Sequence, residues 1–448
     1  MISSAEDTIV ALATAPGRGA LAVVRISGAR ALALGRQLVE PWPTEARRAT
    51  FSQVRDASGA VLDEAIVLAY EAPASFTGEH ALEIICHGGP IASTLIVAAF
   101  VGVGARPAEP GEFTRRAVLH GKLDLLQAEA VGDVVDASSR AAQRVALAQL
   151  DGGLSRRIEQ LRGRILGLEA LAAYDIDFPE EDDGPVPAAR VLEEAAGIIS
   201  DVNALLATAP AGEMVRDGAV VVIAGAPNAG KSSLFNALLR RRRAIVTEIP
   251  GTTRDALEAV TEADGWPIRL VDTAGLRETE EMIERIGIEV SREWLGRADV
   301  VLACGASPEE LAHTERTVRT LTTAPVIVVR TKADLGTEGS TAPSVAVSAE
   351  TGTGLRELAS SIATQLQDTR GPLQLDAPVI TRERHRFALE RARDELVEFR
   401  AIFEGKLAPA VIAAVHLREA TRHLEELIGS VDIEDVLDRV FRSFCVGK

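Results

Sequence analysis

The chain is poor in cysteine and in long apolar runs, and each shortage excludes a class of protein. Its three cysteines lie far apart and form no CxxC pair, which argues against a disulfide framework or a zinc site and indicates a reducing compartment. No apolar stretch approaches the length of a membrane span, and no basic segment precedes the first apolar run at the N-terminus. We therefore expect a cytoplasmic protein with no membrane contact.

Basic side chains are also in short supply. The 448 residues carry 48 lysines and arginines against 65 aspartates and glutamates, a net charge of −17. Sequence-independent binding of nucleic acid requires a basic face, so this charge balance argues against such binding. A local basic patch is still compatible with the net negative charge. Lysine supplies a compact, rotatable ammonium, so its few positions are candidate ligand sites, unless they are chance survivors of a bias towards arginine. The five lysines are Lys122, Lys231, Lys332, Lys406 and Lys448.

The pattern of apolar residues divides the chain into regions of different structure. A chain of this length exceeds one hydrophobic core, which predicts two or three domains. Over the first ~120 residues, strand-like runs at 8–14, 21–26, 65–70 and 81–87, separated by Gly and Pro turns, predict a mixed α/β domain. From Leu123 to Thr208, and again after Pro378, apolar residues three and four positions apart predict long amphipathic helices.

Short β-branched runs, each followed by a helical segment, occupy the region between the two helical stretches. They lie at residues 219–224, 268–271, 300–303, 326–329 and 344–347. This alternation predicts a mainly parallel, doubly wound sheet. Helical sequence on both sides is typical of a helical domain interrupted by an inserted domain, and two separate helical domains would give the same pattern.

A phosphate-binding motif follows the first of these strands. Residues 225–232, GAPNAGKS, match the P-loop pattern and stand between a strand and a helix, where the mechanism requires them. The glycines let backbone N–H groups wrap the phosphates, and the helix N-terminus adds its dipole. Lys231 would reach the β- and γ-phosphates, and Ser232 would ligate Mg²⁺.

Two shorter motifs further along would complete the phosphate side of this site. Residues 251–255, GTTRD, place threonine hydroxyls in a loop, from which Thr253 would ligate Mg²⁺. Residues 272–275, DTAG, close a strand, which puts the Asp272 carboxylate behind the metal and the Gly275 N–H near the γ-phosphate.

Two more motifs have the chemistry to recognise guanine. Asp334, in the run TKAD at 331–334, can accept hydrogen bonds from the N1–H and the exocyclic amine, and the backbone of Ser348 and Ala349 can donate to O6. Thr331 stands where the usual motif has Asn, so the amide that would reach guanine N7 and brace the phosphate loop is missing. We still predict a preference for GTP over ATP, with weaker affinity.

With these motifs in this order, the chain resembles the MnmE (TrmE) family of tRNA-modification GTPases over nearly its whole length. The most specific pieces in the middle are the phosphate loop with Asn228, residues 251–255, and the run DTAGLRE that continues to residues 283–287. The segments DTIVALATAPGRGALAVVRISG, SFTGEHALEIICHGGP and PGEFTRRAVLHGKLDLLQAEA, and the final FCVGK, also resemble that family. GTPases of the ribosome-assembly class share the middle region but not these flanks.

The resemblance and the pattern together predict an α/β multidomain fold. Residues 1–120 would form an N-terminal α+β domain for tetrahydrofolate binding and dimerisation. Residues 121–215 and 373–448 would form a discontinuous α-helical domain that ends in the CVGK motif. Residues 216–372 would form an inserted, Ras-like, doubly wound P-loop GTPase domain.

The resemblance implies a GTPase whose domains dimerise across the nucleotide, with a potassium ion in place of an arginine finger. Asn228, Thr247, Ile249 and Thr252 match the family's K⁺ ligands. Glu284 matches its catalytic glutamate, which orients the attacking water through a bridging water; from spacing alone, an exposed residue on a helix face is the simpler interpretation. The residues expected at GTP are Asn228, Ala229, Gly230, Lys231, Ser232, Ser233, Thr247, Thr252, Thr253, Asp272, Thr273, Ala274, Gly275, Thr331, Lys332, Asp334, Ser348 and Ala349.

The resemblance further implies that the N-terminal domain binds a tetrahydrofolate one-carbon donor, as the 5-formyl or the 5,10-methylene derivative. Arg25, Glu83 and Lys122 match the family's folate-binding residues, and Lys448 would complete the site. The cations suit an anionic glutamate tail and Glu83 suits pterin N–H groups, although surface ion pairing would explain the same residues. Cys445 matches a cysteine that the family needs for modification, and a small buried hydrophobe is the alternative.

The function implied is tRNA modification by a cytoplasmic homodimer that works with a flavin-dependent partner of the MnmG (GidA) family. The pair would install an aminomethyl or carboxymethylaminomethyl group on C5 of the tRNA wobble uridine, with FAD and NADH bound only through the partner. GTP hydrolysis would drive domain opening and closing. The alternative is a regulatory or ribosome-assembly GTPase without modification chemistry, for which a folate site and a C-terminal cysteine would have no use.

Overall fold

The structure is a computed structural model that describes residues 7–177, 187–241, 257–272, 293–336, 344–372, 377–405, 410–429, 444 and 446–447. The chain separates into two compact units. The first comprises residues 1–132, 150–158 and 424–448, and the second comprises residues 133–149 and 159–423. The first unit carries a mostly antiparallel sheet, and the second carries a mostly parallel one.

The N-terminal sheet of the first unit has seven strands within the described residues. They are β1 (Ile9–Leu12), β2 (Leu21–Ser27), β3 (Val39–Glu40), β4 (Thr50–Arg55), β5 (Val61–Tyr70), β6 (Ala81–His87) and β7 (Arg106–Pro107), with helices α1 (Ala31–Leu38), α2 (Pro90–Gly102) and α3 (Glu112–Leu119). The spatial order is β3-β4-β5-β6-β2-β1-β7, and neighbours are antiparallel except β1 and β7. Leu34 of α1 and Phe100 of α2 pack with Val24 and Leu82 of the sheet in one apolar core.

The sequence-based prediction of this sheet is confirmed for β1, β2, β5 and β6 but missed β3, β4 and β7. Strand β4 shows little apolar alternation, because its two inward residues are Ser52 and Val54 and the first of them is polar. The other two missed strands contain two residues each, too few for any periodic pattern.

Helices dominate residues 125–217, as predicted. They are α4 (Leu125–Asp136), α5 (Arg140–Leu150), α6 (Gly153–Asp177), α7 (Ala188–Leu206) and α8 (Ala209–Asp217). In α7 the buried residues recur three and four positions apart, from Val191 through Ala195, Ile198 and Val202 to Leu205. This spacing gives the helix one apolar face.

The central sheet of the second unit has six strands within the described part of the chain. They are β8 (Ala219–Gly225), β9 (Leu257–Ala263), β10 (Trp266–Asp272), β11 (Val300–Gly305), β12 (Val326–Arg330) and β13 (Val345–Ala346), with helices α9 (Lys231–Arg241), α10 (Pro308–Arg319) and α11 (Leu355–Arg370). The order is β13-β12-β11-β8-β10-β9, and every pair is parallel except β9 and β10.

Both faces of the central sheet are buried. Val221 and Ile223 of β8 belong to one apolar cluster, whereas Val222 and Ala224 belong to another on the opposite face. Successive residues of a strand point to opposite faces, so each strand reads as a continuous apolar run. The predicted mainly parallel, doubly wound sheet is therefore confirmed.

Two further helices, α12 (Glu383–Gly405) and α13 (Ala410–Ile428), follow the central sheet in sequence. Helix α12 packs along α7, which precedes that sheet, so helices from both sides of it meet within the second unit. Among the described residues, no helix is both long enough and apolar enough to cross a bilayer.

The topology of the central sheet gathers the predicted motifs at one edge. The phosphate loop follows β8, Asp272 is the last residue of β10, Thr331 follows β12, and Ser348 lies two residues beyond β13. Parallel strands present their carboxyl ends at the same edge of a sheet, where ligands of such folds bind.

Candidate functional site

The loop between β8 and α9 has the backbone shape of a phosphate-binding loop. A Cβ at Gly225 would lie 2.4 Å from the Cys304 carbonyl oxygen in β11, so only glycine fits. Asn228 and Gly230 have φ of 63° and 82°, in the left-handed region. Loops of mixed handedness aim successive N–H groups at one anion, and α9 adds the positive end of its dipole from Lys231 onwards.

Lys231 is folded onto this loop. The residue is buried, and its Nζ donates hydrogen bonds of 2.8 Å to the carbonyl oxygens of Gly225 and Ala226. These bonds fix the position of the ammonium, which has only donors to offer. A buried cation beside the N-terminus of a helix is an attractive site for phosphate oxygens.

Ser232 and Asp272 form an oxygen pair next to the phosphate loop. Ser232 Oγ donates to Asp272 Oδ2 at 2.8 Å, and Asp272 has no exposed surface. Hydroxyl and carboxylate oxygens are the ligand types that Mg²⁺ prefers. The donor set therefore fits the predicted magnesium role of Ser232, with Asp272 behind it.

A cavity of about 490 Å³ opens beside the phosphate loop. Its wall includes Gly230 and Ser233 from the loop and α9, together with Lys332, Asp334 and Ala349. Pockets for small molecules typically enclose ~300–1,000 Å³. The structure thus brings the phosphate loop and both predicted guanine motifs to one cavity of suitable size. Arg240 of α9 also lines this cavity.

The carboxylate of Asp334 is held by a neighbouring hydroxyl. A hydrogen bond from the Ser348 side chain lowers the pKa of Asp334 below its ordinary value, so the group is an anionic acceptor at neutral pH. The backbone N–H of Ser348 donates to the Thr353 carbonyl oxygen at 3.0 Å. Of the two residues predicted to donate to guanine O6, Ala349 is therefore the remaining candidate.

The contacts of Thr331 differ from one expectation drawn from the sequence, which concerned the brace on the phosphate loop. The missing Asn was expected to cost the phosphate loop its brace, but the Thr331 hydroxyl supplies one by donating to the Ala229 carbonyl oxygen at 2.7 Å. The residue is 4% exposed, and its backbone N–H donates to the Gly305 carbonyl oxygen at 3.0 Å. The brace is thus retained with a different side chain.

The first unit contains a second, smaller cavity of about 110 Å³. Arg25 and Glu83 stand directly opposite each other on β2 and β6, and Arg25 Nε and Nη2 lie 3.0 and 2.9 Å from Glu83 Oε1. Tyr70 donates to the other carboxylate oxygen at 3.1 Å. The ion pair that the sequence left as an alternative therefore exists, and it forms part of the cavity wall.

Two aromatic residues, Tyr70 and Phe76, line this cavity, and the sequence motifs did not identify them as site residues. The Arg25 guanidinium lies 5.6 Å from the ring centre of Phe76 and 5.7 Å from that of Phe113, within cation–π range. Burial, and then the Glu83 charge, raise the pKa of Tyr70 above its ordinary value, so its hydroxyl remains a donor. Tyr70 lies two positions beyond Leu68, which pairs with Glu83, so the register of β5 and β6 places Tyr70 near Glu83, and this register had no signal in the sequence.

Lys122 lies at the loop that contributes to the cavity wall. Its Nζ donates to the Pro73 carbonyl oxygen at 3.2 Å, and a Cβ at Gly78 would lie 3.3 Å from Lys122 Cγ. The loop between β5 and β6 carries Ser75, Phe76 and Thr77 into the cavity wall. Lys122 therefore supports this loop and is not itself a wall residue.

A buried charge network lies behind the cavity, and no motif pointed to it. Arg116 donates to the carboxylates of Asp7, Glu79 and Glu112. Glu79 also accepts a 2.7 Å hydrogen bond from Ser27, a cavity residue. The network thus connects α3 to the cavity wall.

Several predicted site residues lie outside the described part of the chain, and their roles stay predictions. They are Thr247, Ile249, Thr252, Thr253, Thr273, Ala274, Gly275, Glu284, Cys445 and Lys448.

The phosphate loop, the Ser232–Asp272 pair and the Asp334 cavity, on a mainly parallel sheet, define a P-loop protein of the GTPase class. Residues 8–122 match the family model for the GTP-binding protein TrmE N-terminus, and residues 125–445 match that for the MnmE helical domain. The tRNA modification GTPase MnmE of Aquifex aeolicus is 41% identical over 99% of this chain and 100% of its own. That of Neisseria gonorrhoeae is 42% identical over 100% of both. The chain belongs to the MnmE family of tRNA modification GTPases and is a GTP hydrolase.

One solved structure is also similar over part of the chain. The G domain of the T. maritima FeoB iron transporter is 30% identical over 33% of this chain and 99% of its own, with a TM-score of 0.27.

Proposed function

We propose that the chain is a K⁺-activated GTPase that, with a flavin-dependent MnmG-type partner, adds an aminomethyl or carboxymethylaminomethyl group to C5 of the tRNA wobble uridine. The carbon would come from a tetrahydrofolate donor, and GTP hydrolysis would drive the conformational cycle. The observation that carries the proposal is the phosphate loop with its fixed Lys231, in a chain that belongs to the MnmE family.

In the proposed GTP site, each described residue has a separate task. Backbone N–H groups of the loop bind the β- and γ-phosphates, and Lys231 adds its positive charge. Ser232 would ligate Mg²⁺ together with Thr253, while Asp272 orients the Ser232 hydroxyl. When bound, Mg²⁺ neutralises charge that develops on the phosphate oxygens. Asp334 accepts from the Watson–Crick edge of guanine.

The K⁺ site is proposed from Asn228 with Thr247, Ile249 and Thr252. Asn228 is exposed in the phosphate loop and has φ of 63°, so a short polar side chain is tolerated there and remains accessible to an ion. Amide, hydroxyl and carbonyl oxygens are suitable ligands for a hard cation. Glu284 would orient the attacking water.

The folate site is proposed around Arg25, Glu83 and Tyr70. A carboxylate can accept about four hydrogen bonds, so Glu83 can bind pterin N–H groups in addition to its two described partners. The cavity of about 110 Å³ is smaller than the ~300 Å³ of a typical small-molecule pocket, so it would take one end of the ligand. Lys122 and Lys448 would bind the glutamate tail, and Cys445 would act in the modification reaction.

The proposed architecture follows the sequence boundaries. Residues 1–120 would bind folate and form the homodimer, residues 121–215 and 373–448 would form one helical domain, and residues 216–372 would form the GTPase domain. The packing of α7 against α12 supports a helical domain assembled from both sides of the central sheet.

GTP hydrolysis in matched KCl and NaCl buffers tests the nucleotide half of the proposal. We expect faster turnover in KCl, and we expect Lys231→Met to lose ~10²–10³-fold, the usual cost of removing one group that stabilises charge in a transition state. Arg319→Met, which changes an exposed pair with Glu315 on α10, is the control and should keep wild-type turnover. Equal rates in both salts would contradict K⁺ activation.

Equilibrium dialysis with 5-formyltetrahydrofolate tests the folate half. We expect binding by the wild type and loss of binding in Glu83→Gln, because the neutral amide loses the negative charge and one of its acceptor oxygens. Glu64→Gln, an exposed change on β5, is the matched control and should bind normally. Equal binding by Glu83→Gln and the wild type would exclude this cavity.

A further inference from the structure

Thr331 departs from the usual guanine motif at the point where the base pocket meets the phosphate loop. The residue directly follows β12, lines the cavity beside α9 and is 4% exposed. Its backbone N–H donates to the Gly305 carbonyl oxygen at the end of β11. A Cβ on Gly230 would lie 3.4 Å from Thr331 Cβ, so the side chain packs directly against the phosphate loop.

The hydrogen-bond capacity of this side chain is already used. A threonine hydroxyl has one hydrogen to donate. Thr331 Oγ1 lies 2.7 Å from the Ala229 carbonyl oxygen and 3.2 Å from that of Gly305, and both are acceptors. Guanine N7 is also an acceptor. Whichever carbonyl takes the hydrogen, none is left for N7.

The Watson–Crick edge of the base has its own partners in the cavity. Asp334, held by the Ser348 hydroxyl, accepts from donors such as N1–H and the exocyclic amine. Ala349 lines the same cavity, where its backbone can donate to O6. These contacts distinguish guanine from adenine without any contact to N7, which both purines share.

We propose that Thr331 makes the site insensitive to N7, so that guanine nucleotides are selected by their Watson–Crick edge alone. The inference rests on the proposed GTP site and deepens it by naming the ligands that the site accepts. Nucleotides of 7-deazaguanine, in which C–H replaces N7, bind as well as natural guanine nucleotides. Thr331 serves to brace the phosphate loop through Ala229.

The test uses GDP and 7-deaza-GDP as competitors of N-methylanthraniloyl-GDP bound to the full chain. For the wild type we expect the two dissociation constants to agree within about twofold. Thr331→Asn introduces an amide with two N–H donors, one for Ala229 and one for N7. We therefore expect this variant to prefer GDP by about tenfold, equivalent to 1.4 kcal/mol.

Two more variants separate the brace from base recognition. Thr331→Ser keeps the hydroxyl and should retain the wild-type ratio of the two dissociation constants. Thr331→Val removes the hydroxyl and keeps the shape, so both competitors should weaken together at an unchanged ratio. A Val variant that lost affinity for GDP but not for 7-deaza-GDP would contradict the inference, because the hydroxyl would then serve N7.

The remaining outcomes are also decisive. A tenfold preference of the wild type for GDP over 7-deaza-GDP would overturn the inference and leave the guanine site intact. A Thr331→Asn variant that binds both competitors equally would also overturn it, because N7 would then lie beyond the reach of position 331. If neither guanine nucleotide displaced the probe from the wild type, the proposed GTP site would fail together with the inference.

Discussion

Replacing Arg116 with methionine removes the centre of the buried charge network in the first unit. Arg116 is 7% exposed, and its guanidinium donates to the carboxylates of Asp7, Glu79 and Glu112. Methionine is unbranched and uncharged, so the change removes the charge and the hydrogen bonds while an apolar chain fills much of the space. We expect the first unit to lose much of its stability.

The magnitude follows from the charges that remain. Asp7 and Glu112 also pair with Arg106, so in the variant these two carboxylates share that one arginine, whereas Glu79 loses its described ion-pair partner. Glu79 is 9% exposed and keeps the Ser27 hydroxyl as its described side-chain partner. Removing one partner of a buried ion pair costs ~3–5 kcal/mol. That is a large part of the ~5–15 kcal/mol that stabilises a typical domain.

Hydrogen exchange measured by mass spectrometry reports this loss inside the full chain. At 1.4 kcal/mol for each factor of ten, exchange that requires opening of β2 and β6 should accelerate by about one hundredfold to several thousandfold. The central sheet is the internal control and should keep its protection. Arg48→Met, at an exposed pair with Glu45, is the matched variant and should change exchange little.

The stability that this charge network contributes also depends on pH. Burial raises the pKa of Glu112, but hydrogen bonds from Arg106, the Glu109 backbone and Arg116 lower it more, so its pKa lies below the ordinary value. Its contribution to stability is therefore present above the ordinary carboxyl pKa and is lost as pH falls through the lower folded value.

If β2 and β6 of the Arg116→Met variant exchanged at wild-type rates at neutral pH, the reasoning about this charge network would be refuted.

Four further predictions concern the two cavities. In Ser348→Ala, the acid limb of guanine binding should move to higher pH, because Asp334 loses the hydrogen bond that lowers its pKa; titrating GDP affinity against pH measures the shift, and an unmoved limb would disprove the contact. Asp334→Asn should change the preference of the site from guanine to xanthine, because the amide can donate a hydrogen bond where the carboxylate only accepts; competition between GDP and XDP checks this. Ser232→Ala should lose the Mg²⁺ dependence of GDP affinity in a magnesium titration, since its hydroxyl is the proposed ligand. Tyr70→Phe should weaken 5-formyltetrahydrofolate binding by about fivefold, the net value of one hydrogen bond, because Glu83 loses a donor; unchanged affinity in dialysis would exclude Tyr70.

The sequence predicted the parts of the fold that carry their own local pattern. Strands β2 and β8 are apolar runs bounded by turn residues, and they begin where the pattern predicts. Strand β9 was missed because LEAVTEA contains residues of low strand preference and is recognised mainly by its antiparallel pairing with β10. Asp264 and Gly265, with φ of 42° and 96°, form the tight turn between them, and this Asp-Gly pair was an available hairpin signal.

The candidate sites were likewise predictable only where their residues are local in sequence. The phosphate loop is local in sequence, so its residues could be named in advance and its geometry agrees with the motif. The opposition of Arg25 and Glu83 depends on strand register, which an isolated segment does not reveal. The network around Arg116 joins residues up to 109 positions apart, and only the packing of α3 brings them together. The brace through Thr331 likewise depends on two neighbouring strands and not on the motif alone.

Nucleoside analysis of tRNA tests the central claim most directly. In cells that lack the gene, we expect the aminomethyl or carboxymethylaminomethyl derivative at C5 of the wobble uridine to disappear. The wild-type chain should restore it, the Lys231→Met variant should not, and the exposed control Arg319→Met should restore it fully. Wobble uridines that remain fully modified without the gene would contradict the account.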